Sequence, residues 1–354
     1  MLNVPTRFGG RAPRPLRSLM RAAALVAAAA GTALAAPAQA GAADQVAVHQ
    51  QAVTAGQRQA VLDYWTPERI AALTTPALGN PPAGGPDGAP WTTDNALPRT
   101  TGRLFFTDHG EDASCTATVV HSANRSTVVT AAHCVDNTDL LGDDNQWVTN
   151  EMFVPGYHDG QAPYGRFVGR TAVADATWLA NDQQHGETYD AYDQAFVAVN
   201  PNERGQLLET AVGAAQRIGF DRPGDVPSFS FGYPRASADP AREGLPEYTG
   251  ERLAYCQGRA REYPGTPDWP EPPGQFGPPC IMGGGSSGGP RMTGFDPATG
   301  MGTVVGDNTQ AGFFDASGNP CALDSHDDCT RYLVGPGFSS AVTEPLYERA
   351  QKLS

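Results

Sequence analysis

The sequence is short of positive charge: 24 Lys and Arg stand against 38 Asp and Glu in 354 residues, a formal charge of −14. Nucleic-acid binding rests on clustered cations that replace condensed counterions, so this deficit excludes nucleic acid as a partner. Beyond the first forty residues no apolar run reaches the roughly 20 residues needed to cross a bilayer. None of the cysteines forms a C-x₂₋₄-C knuckle, and His133 directly beside Cys134 lacks the spacing of a zinc ligand pair. No resident metal and no cofactor are expected. Long helices alternating with strands, the mark of a doubly wound sheet, are absent as well.

The chain opens on a segment unlike the rest. Arg7, Arg11, Arg14, Arg17 and Arg21 form a basic leader, Ala22 to Ala36 a small apolar core, and Ala38-Gln39-Ala40 a small-x-small cleavage signal. The core is about fifteen residues, mostly Ala, and too short for a spanning helix. Residues 1–40 therefore read as a signal peptide, and the mature chain as a secreted, extracellular monomer with no membrane attachment. Without those five Arg residues, 19 basic groups face 38 acidic ones, a formal charge of −19. Export permits disulfides. Cys115, Cys134, Cys256, Cys280, Cys321 and Cys329 allow fifteen full pairings, among which chain order favours neighbours.

Residues 41–97 read as a prosegment or an N-terminal extension. Val61, Leu62, Trp65, Ile70 and Leu73 lie at helical spacing, with a short helix expected to begin near Thr66-Pro67-Glu68. Pro76 to Pro90 holds five prolines and four glycines in fifteen residues and reads as a linker.

From about residue 98 the texture changes to short runs of Val, Thr and aromatic residues broken by Gly, Pro, Asn and Asp. Strands are expected at Arg103–Thr107, Thr116–His121, Thr127–Ala131, Trp147–Val154, Phe167–Ala174 and Ala195–Val199, filling residues 98–210. A second set, at Arg217–Phe220, Phe229–Tyr233, Glu251–Cys256, Pro290–Thr293, Gly302–Val305 and Arg331–Gly335, fills residues 211–354. Two such sets suggest two similar β-barrels. A C-terminal helix follows over Thr343–Leu353, with Thr343 as cap and Pro345 in its first turn.

Three separated elements carry chemistry: Thr130-Ala131-Ala132-His133-Cys134, Asp193-Gln194-Ala195-Phe196-Val197 and Gly283-Gly284-Gly285-Ser286-Ser287-Gly288-Gly289-Pro290. A serine hydroxyl attacks a carbonyl only when an imidazole takes its proton, and a carboxylate must hold that imidazole in the right tautomer. Ser287, His133 and Asp193 supply those roles. Glycines around Ser287 let a carbonyl approach and leave the N–H groups of Gly285 and Ser287 to face a developing oxyanion. Gly-Ser runs alone are usually linkers; here Pro290 and the upstream elements argue otherwise. Asp190 is the rival to Asp193, which is preferred because an apolar strand follows it directly. His49, His109, His121, His158, His185 and His326 lack a comparable frame and read as structural or exposed.

In this order the elements resemble the T-A-A-H-C, D-x-A and G-x-S-G-G-P motifs of the trypsin/chymotrypsin-like serine peptidases, from about Gly102 onward. Ser286 and the stretch Val154-Pro155-Gly156-Tyr157 resemble the secreted bacterial branch that includes glutamyl endopeptidases. The resemblance implies an all-β fold, a double six-stranded antiparallel β-barrel, with His133 and Asp193 on the first barrel and Ser287 on the second. It implies disulfides Cys115–Cys134, Cys256–Cys280 and Cys321–Cys329, peptide or protein substrates, and an acyl-enzyme on Ser287.

Departures from the family pattern also carry information. The aspartate that pairs with a new N-terminus in the animal enzymes is Ser286 here, so activation by such an ion pair is not expected. Ser287 lies seven positions after Cys280, and Ile281 offers no acid for a basic side chain. Gly306, Asp307 and Asn308, with Ile281, are the candidates for a substrate pocket. The proline-rich stretch between Cys256 and Cys280 either restricts large substrates or is an inert loop. Asp143 and Asp144, and Asp324, Asp327 and Asp328 with His326, could attract Ca²⁺ but read first as solvated loops. Two other functions fit some of the motifs: a non-catalytic binding or adhesion protein on this scaffold, and an esterase using Gly285-x-Ser287-x-Gly289 as a nucleophile elbow with His326.

Overall fold

Valine and aromatic side chains in runs of five to nine residues, buried on both faces, settle into strands where their branched or flat side chains pack against neighbours. The computed structural model describes residues 45–74, 87–137, 146–180, 189–267, 269–321 and 328–353. The leader (1–40), most of the Pro/Gly-rich linker, His185, His326, Asp143, Asp144, Asp324 and Asp327 lie outside the described residues. No described helix is long and apolar enough to cross a membrane.

The chain enters as strand β1 (Val46–Gln50), followed by helices α1 (Ala55–Tyr64) and α2 (Pro67–Ala72), and later strand β2 (Asp87–Pro90). A capping box starts α1: Thr54 Oγ1 accepts from Gln57 N–H, and Gln57 Oε1 accepts from Thr54 N–H. Helix α2 begins with Pro67 behind a Thr66 cap, where a missing N–H costs nothing. Helical spacing therefore holds from Ala55 onward, whereas Val46–Gln50 is extended. There the edge of a neighbouring strand offers hydrogen bonds, and tertiary pairing overrides weak local preference.

Six strands then close a barrel: β3 (Thr101–Asp108), β4 (Glu111–Val119), β5 (Thr127–Thr130), β6 (Thr149–Pro155), β7 (Phe167–Asp175) and β8 (Ala195–Val199). Their order is β7-β8-β5-β4-β3-β6, and Met152↔Val168 with Phe153↔Phe167 joins the ends. Strand β1 adds to β7, running antiparallel from Val46↔Asp175 to Gln50↔Thr171. Alternation sorts the barrel side chains: Leu104, Phe106, Ala117, Val128 and Val197 share one cluster, while Phe105, Val129, Val173 and Phe196 face another. That second cluster also holds Trp65 of the N-terminal segment, Phe231 and Met292 of the second half, and Leu346 of the last helix.

The second half contains β9 (Arg217–Ile218), β10 (Pro227–Gly232), β11 (Ala254–Arg259), β12 (Arg261–Glu262), β13 (Gln275–Gly277), β14 (Pro290–Asp296), β15 (Met301–Asp307), β16 (Gln310–Phe314) and β17 (Thr330–Pro336). They form a six-stranded sheet, β9-β15-β14-β10-β11-β2, and a four-stranded one, β12-β13-β17-β16. Leu333 of β17 packs with Ala254 and Cys256 of β11, so the two sheets share a cluster. The strand expected at Glu251–Cys256 starts at Ala254 and runs on to Arg259, because its partner β10 continues that far. Strands β13 and β16 went unexpected: the first is three residues long, and the second, Gln310-Ala311-Gly312-Phe313-Phe314, lacks an alternating pattern.

Glu251 ties three parts together. Its Oε1 accepts from Tyr157 OH and Thr74 Oγ1, both at 2.7 Å, with Arg103 Nη1 at 3.5 Å, while its Oε2 accepts from Gly160 N–H at 2.8 Å. The last helix, α3 (Thr343–Ala350), buries Leu346 and Ala350 completely. Thr343 is its first residue rather than its cap. The Thr343 hydroxyl instead bonds Gln194 beside Asp193 and accepts from Ser339 N–H.

Candidate active site

Strand β5 ends at Thr130, and a single 3₁₀ turn over Ala132–Cys134 swings His133 out of the barrel wall. Cys134 is joined to Cys115 of β4, which fixes that turn. Asp193 stands at the end of another 3₁₀ turn, Asp190–Tyr192, just before β8. Because β8 pairs with β5 through Ala195↔Thr130, the two turns meet at the same end of the barrel. Asp193 Oδ1 accepts from His133 N–H at 2.9 Å, and Oδ2 lies 2.8 Å from His133 Nδ1. The carboxylate is 6 % exposed and the ring 25 %. One carboxylate thus orients both the backbone and the ring of the histidine, leaving Nε2 as the outer nitrogen.

Electrostatics at this pair set the protonation range. Burial alone would lower the His133 pKa, but the charge of Asp193, its hydrogen bond to the ring and the more distant Asp108 carry it above the ordinary 6.5.

The Ser287 turn is anchored to the first barrel through Thr116. Thr116 N–H donates to Ser287 O at 2.8 Å, and its hydroxyl donates to Gly285 O at 2.9 Å while accepting from Tyr233 N–H. Nothing in the sequence singled out Thr116; its adjacency to Cys115 was the only signal. Gly288, at φ +73°, sits so close that a Cβ would lie 2.0 Å from Thr130 Oγ1 and 2.7 Å from Ala131 N. This contact brings the turn against the strand end that carries His133. A hydrogen bond from the Ser287 hydroxyl to the His133 ring is not formed among the described residues, and in free enzymes that contact is commonly loose.

Within the turn, Gly283, Ser286, Gly288 and Gly289 spend their N–H groups on Ala236 O, Gly283 O, Asn308 O and Ser286 O. The N–H groups of Gly285 and Ser287 make no hydrogen bond among the described residues, although Gly285 is buried. A buried free donor is costly unless something arrives to use it. Gly285 holds φ +94°, and a Cβ there would lie 2.6 Å from Tyr233 O, so only glycine permits this orientation. Ser286, 2 % exposed, donates its hydroxyl to Gly283 O at 2.6 Å and is turned back into its own loop.

The remaining candidates are scattered around this turn. Asn308 braces it from below, donating to Phe231 O at 2.9 Å and Ser286 O at 3.2 Å. Asp307 is 1 % exposed and faces inward. Burial, and then Asp193, push its pKa well above the usual carboxylate range, with Arg291 only partly opposing. Gly306 lets Arg291 and Pro336 approach, a Cβ there lying 2.7 Å from each. Ile281 is half-buried, and its N–H donates to Asp87 Oδ1 at 2.9 Å. Strand β2 of the N-terminal segment therefore supports the chain leading to the Ser287 turn, a link the sequence did not disclose.

Cys256–Cys280 and Cys321–Cys329 complete the disulfides, and all three pairs are those the resemblance implied. Cys115, His133 and Cys134 lie within ligand distance of one another, but both sulfurs are spent in a disulfide and neither can serve as a thiolate. Of the other histidines, His49 stacks on Trp147, His109 pairs with Asp108, His121 with Glu209, and His158 with Gly156 O.

No family model and no curated protein matches the sequence. Among solved structures, the thermostable serine protease AL20 from an extremophilic microorganism is 26 % identical over 73 % of this chain and 100 % of its own, with a TM-score of 0.56. The protease Anisep from Arthrobacter nicotinovorans is 29 % identical over 75 % and 99 %, with a TM-score of 0.55. With this barrel architecture and these likenesses, the chain has the chymotrypsin-like fold and resembles the bacterial serine proteases that share it.

Proposed function

We propose that the protein is a secreted serine endopeptidase that cleaves peptide bonds through an acyl-enzyme on Ser287. The observation that carries this reading is the doubly bonded His133–Asp193 pair beside a turn whose Gly285 and Ser287 amides make no hydrogen bond among the described residues. In the first step His133 Nε2 takes the Ser287 proton as the hydroxyl oxygen attacks the peptide carbonyl. The carbonyl oxygen becomes negative and meets the two amides. The imidazolium, held by Asp193, then returns its proton to the leaving amine. Water repeats the sequence on the ester and frees the acid.

Ser286, tied to Gly283, leaves no acid for a new terminal amine, so the oxyanion site forms without an activating ion pair. The signal peptide is cut after Ala40, and residues 41–97 remain as an extension, since β1 and β2 are strands of the two main sheets. Asp307, buried and facing inward, does not touch substrate directly.

A fluorophosphonate probe tests the reading. It should label Ser287 rapidly in wild type and not in His133→Ala; a slow, His133-independent reaction would favour a non-catalytic binding protein. Loss of labelling only on replacing His326 would instead favour the esterase.

The pH profile follows from the raised His133 pKa. Charged imidazole cannot accept the Ser287 proton, so kcat/KM should fall as pH drops through a value above 6.5. Asp193→Asn should remove the carboxylate that raises it and shift the limb to lower pH. A flat rate from pH 5 to 8 would contradict His133 as the base.

A further inference from the structure

The proline-rich loop between Cys256 and Cys280 sends one side chain across to the other half of the molecule. Glu271 is seated by its own N–H, which donates to Pro264 O at 3.0 Å. Its Oε2 accepts from Gln310 Nε2 at 2.8 Å, and the same nitrogen lies 3.4 Å from Asp190 Oδ2. Asp190 and Glu271 also hydrogen-bond to each other. Three elements thus converge: the loop, the first residue of β16, and the 3₁₀ turn that ends at Asp193. All three side chains are half-buried.

Position gives this contact its consequence. Strand β16 is an edge of its sheet and begins two residues after Asn308, whose backbone pairs with Gly288 and Gly289 of the nucleophile turn. An extended chain laid on the open edge from Gln310 to Gly312 meets Glu271 at once. The contact bridges the half carrying His133 and Asp193 to the half carrying Ser287.

Two carboxyl groups at hydrogen-bond distance hold together only with a proton between them. Burial, then the hydrogen bond and charge of Glu271, then Asp193, push Asp190 up to about 9, with Gln310 opposing. Neutral Asp190 therefore donates to the Glu271 carboxylate at neutral pH. On the loop side Tyr263 also faces Glu271; burial and that charge raise its pKa, so it stays neutral over this range. On β16, Gln310 carries no charge.

We propose that Glu271 determines substrate shape: with Asp190 and Gln310 it fastens the proline-rich loop as a strap across the seam, admitting slender peptide segments, excluding folded ones, and loosening as pH rises. The proposal rests on the peptidase reading given above. Once released, Asp190 titrates as an ordinary carboxylate. Fastening is therefore fullest in acid, weakens by up to about tenfold per pH unit toward the fastened pKa, and is flat above it.

The test uses a peptide that the enzyme cleaves, supplied free and grafted into a folded carrier protein, with wild type, Asp190→Asn and Glu271→Ala. The ratio of kcat/KM for carrier to free peptide cancels the shared titration of His133. Amide hydrogen exchange over residues 264–277, corrected for intrinsic rates, follows the strap itself. In wild type both should rise roughly threefold or more from pH 6 to pH 9. Asp190→Asn keeps the donor without a titrating proton, so both should stay low and flat. Glu271→Ala should be high throughout. A flat wild type, or Glu271→Ala exchanging as slowly as wild type, overturns the strap. Absence of cleavage in every variant overturns the peptidase reading alone, because exchange still judges the strap.

Discussion

Replacing Ser287 or His133 by Ala is expected to lower turnover by roughly 10⁴ to 10⁶-fold, and replacing both should add little to either loss. The reason is that proton transfer and attack are one event. Without His133 the hydroxyl keeps its proton, and without Ser287 the imidazole has nothing to activate. The residual rate then comes from what survives both changes, the amides of Gly285 and Ser287, which make no hydrogen bond among the described residues, and the binding of the peptide. Steady-state kinetics on the three variants, with circular dichroism to verify folding, decide the matter. Losses that multiply, so that the double variant falls by the product of the two singles, would mean the residues act separately and would remove the triad.

Trp65→Ala is expected to cost about 3 to 5 kcal/mol of stability, read as a thermal midpoint several degrees lower. Trp65 is 1 % exposed, lies 5.4 Å from the Phe105 ring, and donates its indole N–H to Asn150 O at 2.5 Å. Truncation would leave a large void against β3 and an unpaired carbonyl on β6. The same measurement addresses the fate of residues 41–97. As an extension, the segment is present in the mature protein and Trp65→Ala destabilises that protein. As a detachable prosegment, it would be missing from the mature N-terminus, and the mature form would keep its midpoint whatever stands at position 65. Terminal sequencing of the mature protein alongside the melt separates these outcomes.

The legible parts of this protein were those in which neighbouring residues carry the information. The barrel strands announced themselves as unbroken runs, such as Ala195-Phe196-Val197-Ala198-Val199, because strands buried on both faces need no polar alternation. His133, Asp193 and Ser287, the residues of the proposed triad, each stood in a recognisable local frame: a cysteine beside one, an apolar strand behind the acid, glycines around the hydroxyl. Strands β1 and β16 were illegible for the opposite reason. Val46–Gln50 is extended because the edge of β7 lies beside it, and Gln310–Phe314 because β17 does. The partner of β1 lies at least 121 residues away, and that of β16 lies across the following loop, at least 16 residues away.

Sequence alone determined the class of fold, the cysteine inventory, and the three residue types that chemistry requires for a nucleophilic serine. Those are local properties, written as period, spacing and flanking residues. Only the folded chain decided that Thr116 anchors the Ser287 turn, that Asp87 supports Ile281, that Asp307 turns inward, and that Glu271 reaches Asp190. The three contacts among these join residues 81 to 194 positions apart. Their formation depends on how closed sheets bring distant backbone together, which no window of neighbouring residues encodes.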